Sequence, residues 1–166
     1  MSRKKSPRSS MSKKSATSAR NREKGHDYER SVAQIFRVAF PHRAEEIERT
    51  IQTRGAIKEG SDFRFPNLWP ECQDSADPTP YVKLDQAETE MRAKGVPCLP
   101  AAIVHKKRAR VSYVYLRAKA WAWLVHNIVR PGPPHEGDET ILALTLDDFV
   151  RACVEYQLDR RVPPLF

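Results

Sequence analysis

Apolar and polar positions alternate along this chain in two distinct periods. Over residues 27–40 the apolar Tyr28, Val32, Ile35, Phe36 and Ala39 recur at spacings of three and four. This predicts an amphipathic helix, with Asp27 as N-cap, Glu29 in the first turn and Pro41 just past the end. Residues 42–50 are polar and predict a short helix or loop. In the stretch 51–65, Gly55 and Gly60 punctuate short segments, and residues 61–65 (Ser-Asp-Phe-Arg-Phe) alternate as a half-buried strand does. Pro66 and Asn67 predict a turn and residues 68–72 a second strand, so that 61–72 reads as a hairpin. A Pro/Asp/Ser loop over 74–80 leads into a helix over 81–94, with Leu84, Ala87 and Met91 on one face and Gly95 as its stop. Two apolar, β-branched and aromatic runs, 99–105 and 111–117, predict a second hairpin with a basic tip at 106–110. A helix over 118–129, a Pro/Gly loop over 130–138 and a closing helix over 146–156 complete the chain. Helices alternating with strands imply one α/β layered domain.

Charge changes the picture at one end only. The 166 residues carry 29 Lys and Arg against 21 Asp and Glu, a net of +8. Residues 1–24 hold nine of the bases and one acid, Glu23, which leaves twenty of each sign in the rest. The folded part is therefore not itself a basic domain. The 1–24 segment is rich in Ser, Lys and Arg, and its burial of apolar surface cannot offset the entropy of ordering. It reads as a disordered basic tail before a domain over 25–166. Such an arm either binds nucleic-acid phosphates or serves as a solubilising leader. No apolar stretch makes it a secretory signal, and no run approaches the length of a membrane span. Three scattered cysteines, Cys72, Cys98 and Cys153, suggest reduced thiols in a cytoplasmic compartment.

Candidate chemistry centres on two acids. Asp62 falls on the first strand of the predicted hairpin and Glu71 on the second, with eight residues between them. Carboxylates on adjacent strands can converge on a hard cation such as Mg²⁺ or Mn²⁺, which activates water and neutralises charge on a phosphodiester. Spacing alone is a weak signal, since solvated strand acids at this distance are common. Zinc has no support, because Cys72, Cys98, His105 and His126 form none of the close ligand pairs that zinc sites use. Trp69, Trp121 and Trp123 read as core residues. Lys106, Lys107, Arg108 and Arg110 read either as a phosphate-contacting fingertip or as a hairpin turn kept soluble by charge.

The stretch 60–73 (GSDFRFPNLWPECQ) resembles the core of the PD-(D/E)XK nuclease superfamily, and most closely its small virus-type replication–repair nucleases and Holliday junction resolvase-like phage proteins. Gly60, Ser61 and Asp62 match the turn that supplies the first carboxylate there; Trp69, Glu71 and Cys72 match the strand that supplies the second. Further matches are Glu29 shortly after Gly25, Gln86 on the following helix, the hairpin 101–116 and the acidic start of the closing helix. The similarity runs over about residues 22–155 and is poor over 118–140. It implies a restriction-endonuclease-like three-layer core, a central mixed β-sheet flanked by helices. It also implies a Mg²⁺- or Mn²⁺-dependent DNA endonuclease acting on duplex or branched DNA, and a homodimer where the substrate is a two-fold symmetric junction. Asp62 and Glu71 would hold the metal with Glu29 in support; Lys83, Gln86 and the tip Lys106, Lys107, Arg108 and Arg110 would contact DNA. One position departs from the pattern: the superfamily's Lys after the second carboxylate is Gln73 here. Gln73 can orient a water but carries no charge, so the resemblance leaves Gln73 serving in place of the Lys, Lys83 as a migrated substitute, or a DNA-binding protein that has lost turnover.

Overall fold

The computed structural model describes residues 11–48, 50, 60–106, 110–126, 140–161 and 163. The Gly55 segment, Lys107 and Arg108, the predicted loop 130–138 and the first ten residues of the basic tail lie outside the described residues. The elements are α1 (Met11–Ala39), β1 (Leu68–Ser75), α2 (Pro80–Lys94), β2 (Leu99–Lys106), β3 (Val111–Arg117), α3 (Ala118–His126), β4 (Ile141–Thr145) and α4 (Leu146–Glu155), with short 3₁₀ turns at Pro41–Arg43 and Leu158–Arg160. The strands form one mixed sheet in the order β1-β2-β3-β4. β1 and β2 are parallel, joined across α2, whereas β2–β3 and β3–β4 are antiparallel.

Strand alternation divides the core between the two sheet faces. Leu68 and Cys72 of β1 join Ile103, Val114 and Leu116 in a cluster with Val32, Phe36 and Phe40 of α1 and with Phe149 and Cys153 of α4. On the opposite face Trp69 packs with Ala87 and Met91, and Leu84 with Ala102, Val104 and Tyr115, so α2 covers that side. Trp69 and Trp123 are buried, as core residues should be.

Local chemistry explains several boundaries. In the turn Phe65–Leu68, Pro66 takes the second place and Asn67 the third with φ 63°, closed by the Leu68 N–H on the Phe65 carbonyl at 3.3 Å. Pro80 opens α2, and Gly95, in the left-handed conformation at φ 62°, ends it. Thr145 caps α4 by accepting the Asp148 N–H at 3.1 Å, with Asp147 and Asp148 in the first turn.

Three differences from the sequence reading stand out. α1 begins at Met11, so residues 11–24, expected to be a tail without order, are helical. That stretch contains no proline and is rich in Lys, Arg and Ala, all good helix formers. β4 was not foreseen: its five residues are half-buried or exposed, so its apolar pattern is weak. Residues 61–65 make no regular strand beside β1. The Asp62 N–H donates to the Pro70 carbonyl at 3.0 Å, the Asp62 carbonyl accepts from Thr50 at 3.0 Å, and the Arg64 N–H donates to the Glu48 carbonyl at 2.7 Å. Pro70 has no N–H to return, so the ladder is interrupted there.

Phe36 lies at the centre of the larger cluster, fully buried with its ring 5.4 Å from Phe63 and 4.9 Å from Phe65. Phe36→Ala should therefore lower unfolding free energy by about 3–5 kcal/mol. Chemical denaturation measures this, and a loss below about 1 kcal/mol would contradict the assigned packing.

Candidate active site

The interrupted ladder places Asp62. With Pro70 unable to donate, the next amide facing the same edge, Cys72 N–H, is taken by the side chain of Asp62 at 2.6 Å from Oδ2. The Asp62 carboxylate thus lies against the peptide that joins Glu71 to Cys72. Ser61 braces the same segment by donating to the Phe63 carbonyl at 2.8 Å. Asp62 is 4% exposed and Glu71 has no exposed surface at all.

Glu71 points to the α2 face of the sheet. Lys83, in the first turns of α2, brings its Nζ to 3.5 Å from Glu71 Oε2. The same ammonium donates to Gln86 Oε1 at 3.0 Å, and Gln86 Nε2 donates to Glu90 Oε1 at 2.9 Å. A polar chain therefore runs from the buried acid along one side of α2, where i, i+3 and i, i+4 neighbours meet. Burying a carboxylate costs several kcal/mol unless partners offset the lost hydration, and Lys83 is such a partner.

Glu29, nearly buried, lies on the inward side of α1, one turn before Ala33 and in line with Phe36 and Phe40. Among the described residues no three His, Cys, Asp or Glu side chains gather into a set able to hold a metal ion. Metal support from Glu29 therefore rests on the sequence alone. Asp62 and Glu71 remain as two buried carboxylates, one against the Cys72 N–H and the other against Lys83.

Gln73 is engaged elsewhere. Its Oε1 accepts the Thr79 N–H at 2.9 Å and its Nε2 donates to Thr79 Oγ1 at 3.3 Å. The amide thus ties β1 to the start of α2 instead of pointing free beside Glu71. Of the predicted fingertip, Lys106 ends β2 and Arg110 is exposed in the turn with φ 53°; Lys107 and Arg108 are outside the described residues.

No family model, no curated protein and no solved structure matches this chain. Function must therefore be argued from the site. Among the described residues no helix is long and apolar enough to cross a membrane.

Two groupings escaped the sequence reading. On the α1 face, Tyr28 lies with its ring 5.6 Å from His105, and His105 Nδ1 is 3.2 Å from Ser112 Oγ. Burial raises the Tyr28 phenol well above its ordinary value, so it stays protonated at neutral pH. On the α2 face, Lys106 sits among tyrosines of α2 and β3. The alternation of Tyr113 and Tyr115 was the available signal for this second group, but only the three-dimensional fold brings Tyr81 to it.

If Lys83 and Glu71 stabilise one another, their substitutions should not be additive. A double-mutant cycle of Lys83→Met and Glu71→Gln should give a favourable coupling of about 0.5–3 kcal/mol in unfolding free energy. Additive effects would show that the 3.5 Å contact contributes nothing to stability.

Proposed function

We propose that this chain is a divalent-metal-dependent DNA endonuclease with a restriction-endonuclease-like core, hydrolysing phosphodiester bonds at Asp62, Glu71 and Lys83. One observation carries the reading: a fully buried Glu71 held by a lysine of the next helix, with a second buried acid against its own peptide. Ionisable groups gathered and buried in one place are candidates for a functional site. The mixed sheet with a parallel β1-α2-β2 unit is compatible with that core.

The donor set suits Mg²⁺ or Mn²⁺. Mg²⁺ commonly binds through one or two carboxylates and completes its shell with water and substrate phosphate oxygens; Asp62 and Glu71 would be the protein's share. Bound there, the ion supplies an activated water and neutralises phosphate charge. The chain's own residues do the rest. Lys83 provides the positive charge that Gln73 lacks, aimed at the negative charge that develops on the phosphoryl oxygens. Gln86 accepts from Lys83 and holds the ammonium in place. Lys106 and Arg110, with Lys107 and Arg108 next to them in sequence, supply phosphate contacts that position DNA without reading its bases.

A second reading has its own observation. Gln73, where the superfamily has its Lys, caps the start of α2 through Thr79, as a structural residue would in a DNA-binding protein without turnover.

Mutagenesis separates the two. Asp62→Ala or Glu71→Gln should abolish cleavage while DNA binding persists or strengthens, since each removes a negative charge near the phosphates. Lys83→Ala should slow cleavage about 100- to 1,000-fold, and adding Gln73→Lys to it should restore much of the loss. Cleavage indifferent to Lys83→Ala would remove Lys83 from the mechanism. Wild-type protein inactive with both metals, yet binding DNA, would leave the second reading standing.

A further inference from the structure

The Glu71 row of the sheet continues into an aromatic surface. Glu71 pairs in register with Ala102, and Ala102 with Tyr115; one row on, Gln73 pairs with Val104, and Val104 with Tyr113. Both tyrosines therefore lie on the face that α2 covers. Lys106 extends over them, its Nζ 4.7 Å from the Tyr113 ring centre and 5.7 Å from that of Tyr115. The Tyr81 ring meets buried Tyr115 edge-on at 6.3 Å.

Tyr81 is fixed at one edge yet 60% exposed, and Val82 beside it is 63% exposed. A large ring anchored on a buried neighbour, its remaining surface in water and a cation alongside, offers a flat apolar face next to a positive charge. Nucleic-acid strands are bound by that combination of stacking ring and backbone-tracking base. Tyr81 and Lys83 both lie near the start of α2, Tyr81 reaching Tyr115 of β3 and Lys83 reaching Glu71 of β1.

We propose that Tyr81 is a stacking platform for an unpaired nucleobase and that Lys106 holds the adjacent phosphate. The DNA taken by this surface then carries unpaired nucleotides. Within a duplex each base face is covered by its neighbours, and a side-chain ring reaches one only where the strand is single or the base is turned out. An exposed tyrosine with a lysine on the same aromatic surface thus favours flaps, overhangs and frayed junctions over continuous duplex. Lys106 suits the phosphate role because its ammonium, charged at neutral pH as lysines ordinarily are, lies over the Tyr113 and Tyr115 rings. The assignment of cleavage rests on the nuclease reading above; the binding preference does not.

The test uses the full chain in EDTA, so that binding is read without cleavage. Fluorescence anisotropy would compare three DNA probes of equal length: an oligothymidylate single strand, a blunt duplex and a duplex with a single-stranded flap. Tyr81→Ala should weaken the single strand and the flap by about 5- to 100-fold and leave the blunt duplex unchanged. Tyr81→Phe, which keeps the ring, should bind as wild type does. Lys106→Ala should weaken all three probes and reduce the salt dependence of single-strand affinity by about 0.7 in log–log slope. No effect of Tyr81→Ala, or an equal loss on every probe, would overturn the platform, even if the wild type cleaves DNA. Conversely, a ring-dependent single-strand preference in a protein that cleaves nothing with Mg²⁺ or Mn²⁺ would overturn the nuclease reading and leave the platform. Failure to bind any probe would overturn both.

Discussion

Pro70 removes the backbone donor that would let residues 61–65 pair continuously with β1, and the Asp62 carboxylate fills the gap by accepting the Cys72 N–H at 2.6 Å. Much of the site's geometry depends on that substitution. A regular ladder would have satisfied Cys72 with a carbonyl and left the Asp62 side chain to leave the strand like any other. Instead the acid is drawn to the β1 edge and set against the Glu71–Cys72 peptide. An unmet amide at a buried strand edge costs about 1–3 kcal/mol, which offsets part of the cost of burying the acid there.

α2 answers β1 from the other side. Its apolar residues Leu84, Ala87 and Met91 fix it over the sheet, while Lys83, Gln86 and Glu90 form a polar line along its flank. Glu88, largely buried, is held by Arg117 of β3 at 3.0 Å, and the same guanidinium reaches Asp85 at 2.7 Å. The helix is thus locked to both β1 and β3 through charged side chains as well as through its apolar face. That anchoring keeps Lys83 within reach of Glu71.

Much of this architecture was legible in the sequence, because local signals agreed with the global fold. The period of residues 81–94 with Gly95 behind it, the β-branched runs of β2 and β3, and the Pro66–Asn67 turn all gave the elements that formed. The rest depended on contacts between distant residues. β4 is short and partly buried, so its pattern is weak. The extended 61–65 segment is set by Glu48 and Thr50 on one side and Pro70 on the other, partners that no local pattern reveals. Asp62, Glu71 and Lys83 were recognisable as candidates. That Lys83 reaches Glu71 while Gln73 turns to Thr79 follows from the seating of α2, which spacing does not encode.

The most direct measurement on this buried site is cleavage by the unmodified protein. Purified wild type would be incubated with end-labelled four-way junction, flap, nicked and blunt duplex DNA, in Mg²⁺, in Mn²⁺ and in EDTA. The proposed hydrolysis should give cut products that require a divalent ion and are absent in EDTA, with substrates that expose unpaired nucleotides cut fastest. Intact DNA under every condition, from protein shown to be folded and to bind these substrates, would contradict it.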